Sequence, residues 1–175
     1  VVGHFQLSTR ADVRHAITSA HSAFPSWRDT PAPSRAKYLW KMRDLLIKNK
    51  ERLACLIVLE MGKVISEARG DVQEAIDVFE YMAGEGRRLF GHTTPSELKD
   101  KFAMTIRMPV GVVGLITPWN FPIAIPAWKS AAALICGNTI VWKPSSDTPL
   151  CSVEFTKLLE EIGLPNGIFN MVTGS

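Results

Sequence analysis

The chain has 175 residues, 46% of them hydrophobic and 21% charged, and a formal net charge of +3. That is ordinary for a globular protein of one domain, or for one piece of a larger domain. The small charge, without any long Lys/Arg run, argues against nucleic acid as a partner, and no apolar run reaches the ~18 residues that a membrane span needs.

The histidines His4, His15, His21 and His92 are scattered without metal-ligand spacing, so no metal site is expected. Cys55, Cys136 and Cys151 form no close pair, and Cys55 and Cys136 sit in the apolar contexts LACLIV and LICGN. This fits reduced thiols in a cytoplasmic protein better than a disulfide framework, and core or surface positions better than nucleophiles.

Residues 1–98 read as largely helical. The opening VVGHFQLSTR is neither a signal peptide nor a complete domain start; it reads as a strand that another segment pairs. Ser8 and Thr9 can cap ADVRHAITSAHSAF, with Asp12 completing a capping box. In PAPSRAKYLWKMRDLLIKNK, Pro33 suits a first helical turn, and Leu39, Met42, Leu45 and Leu46 recur at helical spacing. A further helix, ERLACLIVLEMG, is expected to bury Leu53, Leu56, Ile57 and Leu59 and to stop at Gly62. A longer one, Ile65 to Phe90, carries Val72, Ile76, Phe79 and Met82 and ends at Gly91. A structural role is the expected one for every residue in these helices.

The period then changes. In KFAMTIRM, within a strand expected over 99–109, Phe102, Met104, Ile106 and Met108 alternate with Ala103, Thr105 and Arg107. Residues 110–175 alternate strands and helices: VGVVGLIT, then FPIAIPAWKSAAALICG, NTIVWKP, TPLCSVEFTKLLEEIG and NGIFNMVTGS. Such alternation predicts an α/β fold with right-handed βαβ crossovers and a parallel sheet. A sheet left open after two crossovers has an edge that natural proteins cover, so the chain reads as the front part of a larger enzyme.

In open α/β sheets ligands lie beyond the carboxyl ends of the strands. Two ends stand out, ITPWN after VGVVGL and KPSSDTP after NTIVW. Both are polar, stiffened by proline and next to helix starts, whose free N–H groups favour anions. They could hold a nucleotide although neither GxGxxG nor a Walker motif is present. Lys143 is then either a solvated head on a buried stem or a cation for ribose and phosphate. Asn120, between two prolines, is a helix cap or a fixed amide donor. Trp119 and Trp128 alone suit a core, and Lys129 a surface.

PVGVVGLITPWNFPIAIPAWKSAAALICGNTIVWKPSSDTP resembles the cofactor-binding core of the aldehyde dehydrogenase superfamily. AHSAFPSWRDTPAPSRAKYLWKMRDLL and LEMGKVISEARGDV resemble that family's N-terminal helices, and LPNGIFNMVTG its next strand. The resemblance spans essentially the whole chain. It implies N-terminal helices, an oligomerisation strand and the first part of a Rossmann-like parallel sheet, truncated relative to the family. It also implies that the amide of Asn120 donates to the aldehyde oxygen, whose charge grows on nucleophilic attack. Lys129 matches a lysine implicated in proton relay. Ile116, Thr117, Pro118 and Trp119 would line the cofactor, with Lys143 on the adenosine ribose, and Phe121, Ile125 and Trp128 would lie near the aldehyde tunnel.

NAD-preferring members often carry a glutamate where this chain has Ser146. Without that carboxylate a 2′-phosphate meets no repulsion, so NADP is favoured over NAD. The KPSS pattern resembles semialdehyde dehydrogenases, such as the succinic and 2-oxoglutarate enzymes, and PWNFPIAIPAWK leans toward the latter. The family's nucleophilic cysteine and general-base glutamate fall beyond the matched residues; neither Cys136 nor Cys151 fits the nucleophile's motif. The resulting expectation is part of a cytoplasmic NAD(P)-dependent enzyme that oxidises an aldehyde or semialdehyde to a carboxylic acid, assembled as a homodimer or homotetramer. The alternative is a non-catalytic scaffold that keeps this fold.

Overall fold

The computed structural model describes residues 3–174. Helix α1 (Arg10–Asp29) starts at the expected capping box: Thr9 Oγ1 accepts from the Asp12 N–H, and the Asp12 carboxylate accepts from the Thr9 N–H at 2.7 Å. The helix does not stop at Phe24 but continues through Pro25. A proline forfeits one intrahelical bond. The turn beyond it is held by Trp27, which is buried and donates its indole N–H to the Leu134 carbonyl at 3.2 Å.

The two helices expected next are one, α2 (Ala32–Met61), ending at Gly62 with φ 74°. No glycine or proline interrupts it beyond its first turn, and KNKER at the expected break consists largely of good helix formers. Leu39, Met42, Leu46, Leu53 and Ile57 are buried, but Leu59 is exposed. Two residues past Ile57, it points away from the buried stripe. Helix α3 (Ile65–Glu85) buries Val72, Ile76 and Phe79 and stops short of Phe90, where Gly84 and Gly86 weaken the last turn.

Gly91 therefore ends no helix. A Cβ there would lie 1.9 Å from the Thr105 carbonyl oxygen, so glycine permits the close approach of two hairpin arms. Those arms carry β1 (Thr93–Thr94) and β2 (Ala103–Met104), paired antiparallel. The first falls inside the stretch expected to be helical, and the second is far shorter than 99–109. Phe102, Met104, Ile106 and Met108 are all exposed.

Strands β3 (Val112–Ile116), β4 (Thr139–Lys143) and β5 (Phe169–Met171) form a parallel sheet in that order, with α4 (Ala124–Ile135) and α5 (Pro149–Glu161) as crossovers. Strand alternation separates two buried faces. Val141 and Val172 meet Ala16 and Ala20 of α1 on one. On the other, Leu115, Ile140 and Trp142 join the core built with α2–α5. There Trp142 meets Phe155 edge-on at 5.7 Å between ring centroids. Residues 3–9 form no strand; Ser8 instead donates its N–H to Thr173 at 3.1 Å. Val1 and Val2, the start of the expected opening strand, and Ser175 lie outside the described residues.

Candidate active site

The register pairs Ile116 with Lys143, and the Thr117 N–H donates to the Lys143 carbonyl at 3.3 Å. ITPWN and KPSSD thus leave the same carboxyl edge of the sheet side by side. Thr117 is buried, its hydroxyl accepting from the Trp142 indole N–H at 2.9 Å, while Ile116, Pro118 and Trp119 are exposed. Half-buried Lys143 borders a hollow of about 310 Å³ together with Val172, Thr173 and Gly174. Ser146 borders an adjacent hollow of about 170 Å³, which also touches Thr173 and Gly174, and its hydroxyl donates to the Gly174 carbonyl at 2.9 Å. A larger hollow of about 520 Å³, flanked by His15 and Asn170, touches none of the candidate residues.

Beyond β3, Asn120 is exposed, and its carboxamide makes no hydrogen bond among the described residues. Phe121 and Trp128 stack with centroids 6.3 Å apart, tilted by 31°. Ile125 is half-buried and Lys129 exposed on α4. Asn120 is not the cap of that helix. The N-cap position is Ile123, and the Ala124 N–H donates instead to Asp71 Oδ1 of α3 at 2.7 Å. The other Asp71 oxygen lies 3.3 Å from Lys63 Nζ, which donates to the Asn120 carbonyl at 2.7 Å and lies 3.9 Å from the Phe121 ring centroid.

Helix α5 is capped in the same way from outside. Glu60, in the last turn of α2, accepts from the N–H groups of Leu150 and Cys151 at 2.6 and 2.8 Å. The expectation of anion-ready helix starts is therefore corrected: at both α4 and α5 a protein carboxylate already takes leading N–H groups, and its charge opposes a phosphate at that spot. The far end of α4 is tied down too. Buried Arg35 donates to the Ile135 carbonyl at 3.0 Å and to those of Trp27, Arg28 and Thr30. Burial lowers the guanidinium pKa from its ordinary value.

Glu60 and Asp71 were expected to have only structural roles, and Lys63 was given none, yet all three fasten the loops and helices of the candidate site. One signal was present. Asp71 lies on the helical stripe of Ala68 and Ala75, where a carboxylate needs a buried partner. Its burial pushes the pKa up, against the lowering influence of the Ala124 N–H and of Lys63. Cys151 is buried, and that burial, together with its hydrogen bond to Glu60, pushes the thiol pKa up, an environment that disfavours the thiolate a nucleophile needs. Cys55 and Cys136 are exposed.

A parallel sheet with helical crossovers and two proline-stiffened loops at one carboxyl edge places the chain in the class of open α/β folds, whose ligands lie beyond the carboxyl ends of the strands. Within that class, the sequence model of the aldehyde dehydrogenase family matches residues 1–175, and the chain belongs to that family. It is 44% identical over 174 residues to an alpha-ketoglutaric semialdehyde dehydrogenase of Bacillus subtilis, covering 99% of this chain and 36% of that protein. The crystal structure of an E. coli NADP dependent enzyme is 41% identical, with a TM-score of 0.92 over 94% of this chain and 34% of that one. An NAD-dependent aldehyde dehydrogenase from Sinorhizobium meliloti is 39% identical, with a TM-score of 0.92 over 96% and 34% of the two chains. The chain spans about a third of the length of the curated relatives it matches.

Proposed function

We propose that these residues form the N-terminal, cofactor-side third of an NAD(P)-dependent dehydrogenase that oxidises a semialdehyde to a carboxylic acid. The observation that carries this reading is the paired register of β3 and β4. It brings the loop of Asn120 and the loop of Lys143 and Ser146 to one sheet edge. Kinship to an alpha-ketoglutaric semialdehyde dehydrogenase supports a semialdehyde bearing a second, carboxylate end.

The residues at that edge suit the cofactor. Lys143 offers a cation and Ser146 a hydroxyl beside neighbouring hollows, a donor set for ribose hydroxyls or a phosphate. Bound there, the nicotinamide cofactor supplies the acceptor for the aldehyde hydride. Ile116, Pro118 and Trp119 are open at the same edge, whereas Thr117 contributes by holding the loop through Trp142. The lack of a carboxylate at Ser146 favours NADP, although a 2′-phosphate must displace the serine's bond to Gly174.

Asn120 donates its amide to the aldehyde oxygen as negative charge grows there, with Phe121, Ile125 and Trp128 along the aldehyde's approach and Lys129 in proton relay. Its free carboxamide supports that role over capping. The enzyme works in the cytoplasm as a homo-oligomer, with the exposed apolar residues of the hairpin against a second copy. The scaffold alternative is not favoured, because the relatives are dehydrogenases. Asn120→Ala in the full-length protein tests the reading. Single-turnover hydride transfer should fall by roughly 10²–10³-fold, the scale for losing one oxyanion donor, with cofactor affinity unchanged. A destabilised protein with an unchanged transfer rate would refute it.

A further inference from the structure

We infer that Lys63, anchored by Asp71, is a positioning residue that sets the direction of the Asn120 side chain. This rests on the reading of Asn120 as the donor to the aldehyde oxygen. An ammonium has three donor hydrogens and no acceptor. Here Lys63 Nζ serves two oxygens, the Asn120 carbonyl at 2.7 Å and Asp71 Oδ2 at 3.3 Å, and covers the Phe121 ring face at 3.9 Å. Its side chain is 9% exposed and that of Asp71 0%, so the pair is shielded from competing water. Asp71 holds the Ala124 N–H with its other oxygen, at 2.7 Å.

The turn from Asn120 to Ala124 is therefore gripped at both ends by one ion pair projecting from the α2–α3 connection and α3. Holding the Asn120 carbonyl oxygen restrains the peptide plane on its C-terminal side and so the position of its Cα, which leaves the Cα–Cβ bond only the swing about ψ. The carboxamide of Asn120 has no hydrogen bond of its own among the described residues, so the bond from Lys63 to its backbone carbonyl is the polar restraint that bears on its placement. A preoriented donor stabilises a growing charge without reorganising at the moment of reaction. Lys63 does not border the hollows beside Lys143 and Ser146, which separates its effect from cofactor binding.

The test is a double-mutant cycle in the full-length protein, reading single-turnover hydride transfer and cofactor Kd. Lys63→Met is expected to slow transfer by roughly 10- to 100-fold, the scale for misplacing a group by about 1 Å, at unchanged Kd. In an Asn120→Ala background it should slow transfer no further, and Lys63→Arg should restore most of the rate. Should Lys63→Met fold poorly, Lys63→Met with Asp71→Asn removes both charges and leaves an acceptor for Ala124; the same loss of transfer is expected. If Asn120→Ala slows transfer and Lys63→Met does not, or the two losses multiply, the positioning role is wrong while the reading of Asn120 stands. If Asn120→Ala leaves transfer unchanged, both fall.

Discussion

Ser146 and Asp71 show how differently single residues can be read. Ser146 could be proposed as a cofactor contact from the sequence because it follows a buried strand and stands where NAD-preferring members of the family often carry a glutamate. Ser146→Glu in the full-length protein should raise KM for NADP at least 10-fold and leave that for NAD nearly unchanged. Two like charges ~4 Å apart repel by about 4 kcal/mol near a protein surface, which would be ample for that shift. Equal KM values for NADP before and after the change would count against the choice of NADP. Asp71 was not legible in this way. Its partner at Ala124 is 53 residues away, a distance that no local pattern encodes. Asn120 stood out locally, yet the identity of the true cap required the fold.

At the scale of elements, helix starts divide into those written locally and those completed at a distance. The start of α1 was readable because Thr9 and Asp12 lie within one turn, whereas its end was missed because Trp27 docks on α4. The Asp12 carboxyl is held below the ordinary aspartate pKa, chiefly by the Thr9 N–H and then by the Thr9 hydroxyl. A depressed folded pKa means that the contribution is present above the unfolded value and is lost as pH falls through the folded one. An NMR titration of the Asp12 carboxyl should therefore give a midpoint below that of the same aspartate in a short peptide; an equal midpoint would remove the cap. Glu60 is the distant counterpart. Glu60→Ala leaves two leading N–H groups of α5 without their acceptor and should cost about 1–2 kcal/mol in urea denaturation, the upper range for a lost cap. A smaller change than a few tenths of a kcal/mol would mean that water caps α5 equally well.

For the whole molecule, the order of strands and crossovers followed from the change of hydrophobic period near residue 100. The placement of α1 on the opposite sheet face, against Val141 and Val172, did not, because both faces of a buried parallel strand look alike in sequence. The hairpin carries a cluster of apolar residues without cover among the described residues, with Phe102, Ile106 and Met108 at 74, 69 and 74% exposure. If it meets a second copy as proposed, Ile106→Glu should lower the molar mass of the full-length protein in light scattering while leaving its circular dichroism unchanged. An unchanged mass would place the contact elsewhere.

The reach of Glu60 and Asp71 across the molecule also bears on how such enzymes can be recombined. A chimera that grafts residues 110–174 onto another member's front half inherits α4 and α5 but not the carboxylates that finish them. The graft would be compatible only with a recipient that presents acids at both matching places, whatever its similarity elsewhere. A crossover point upstream of Glu60 carries both caps, together with Lys63, in one inheritable block.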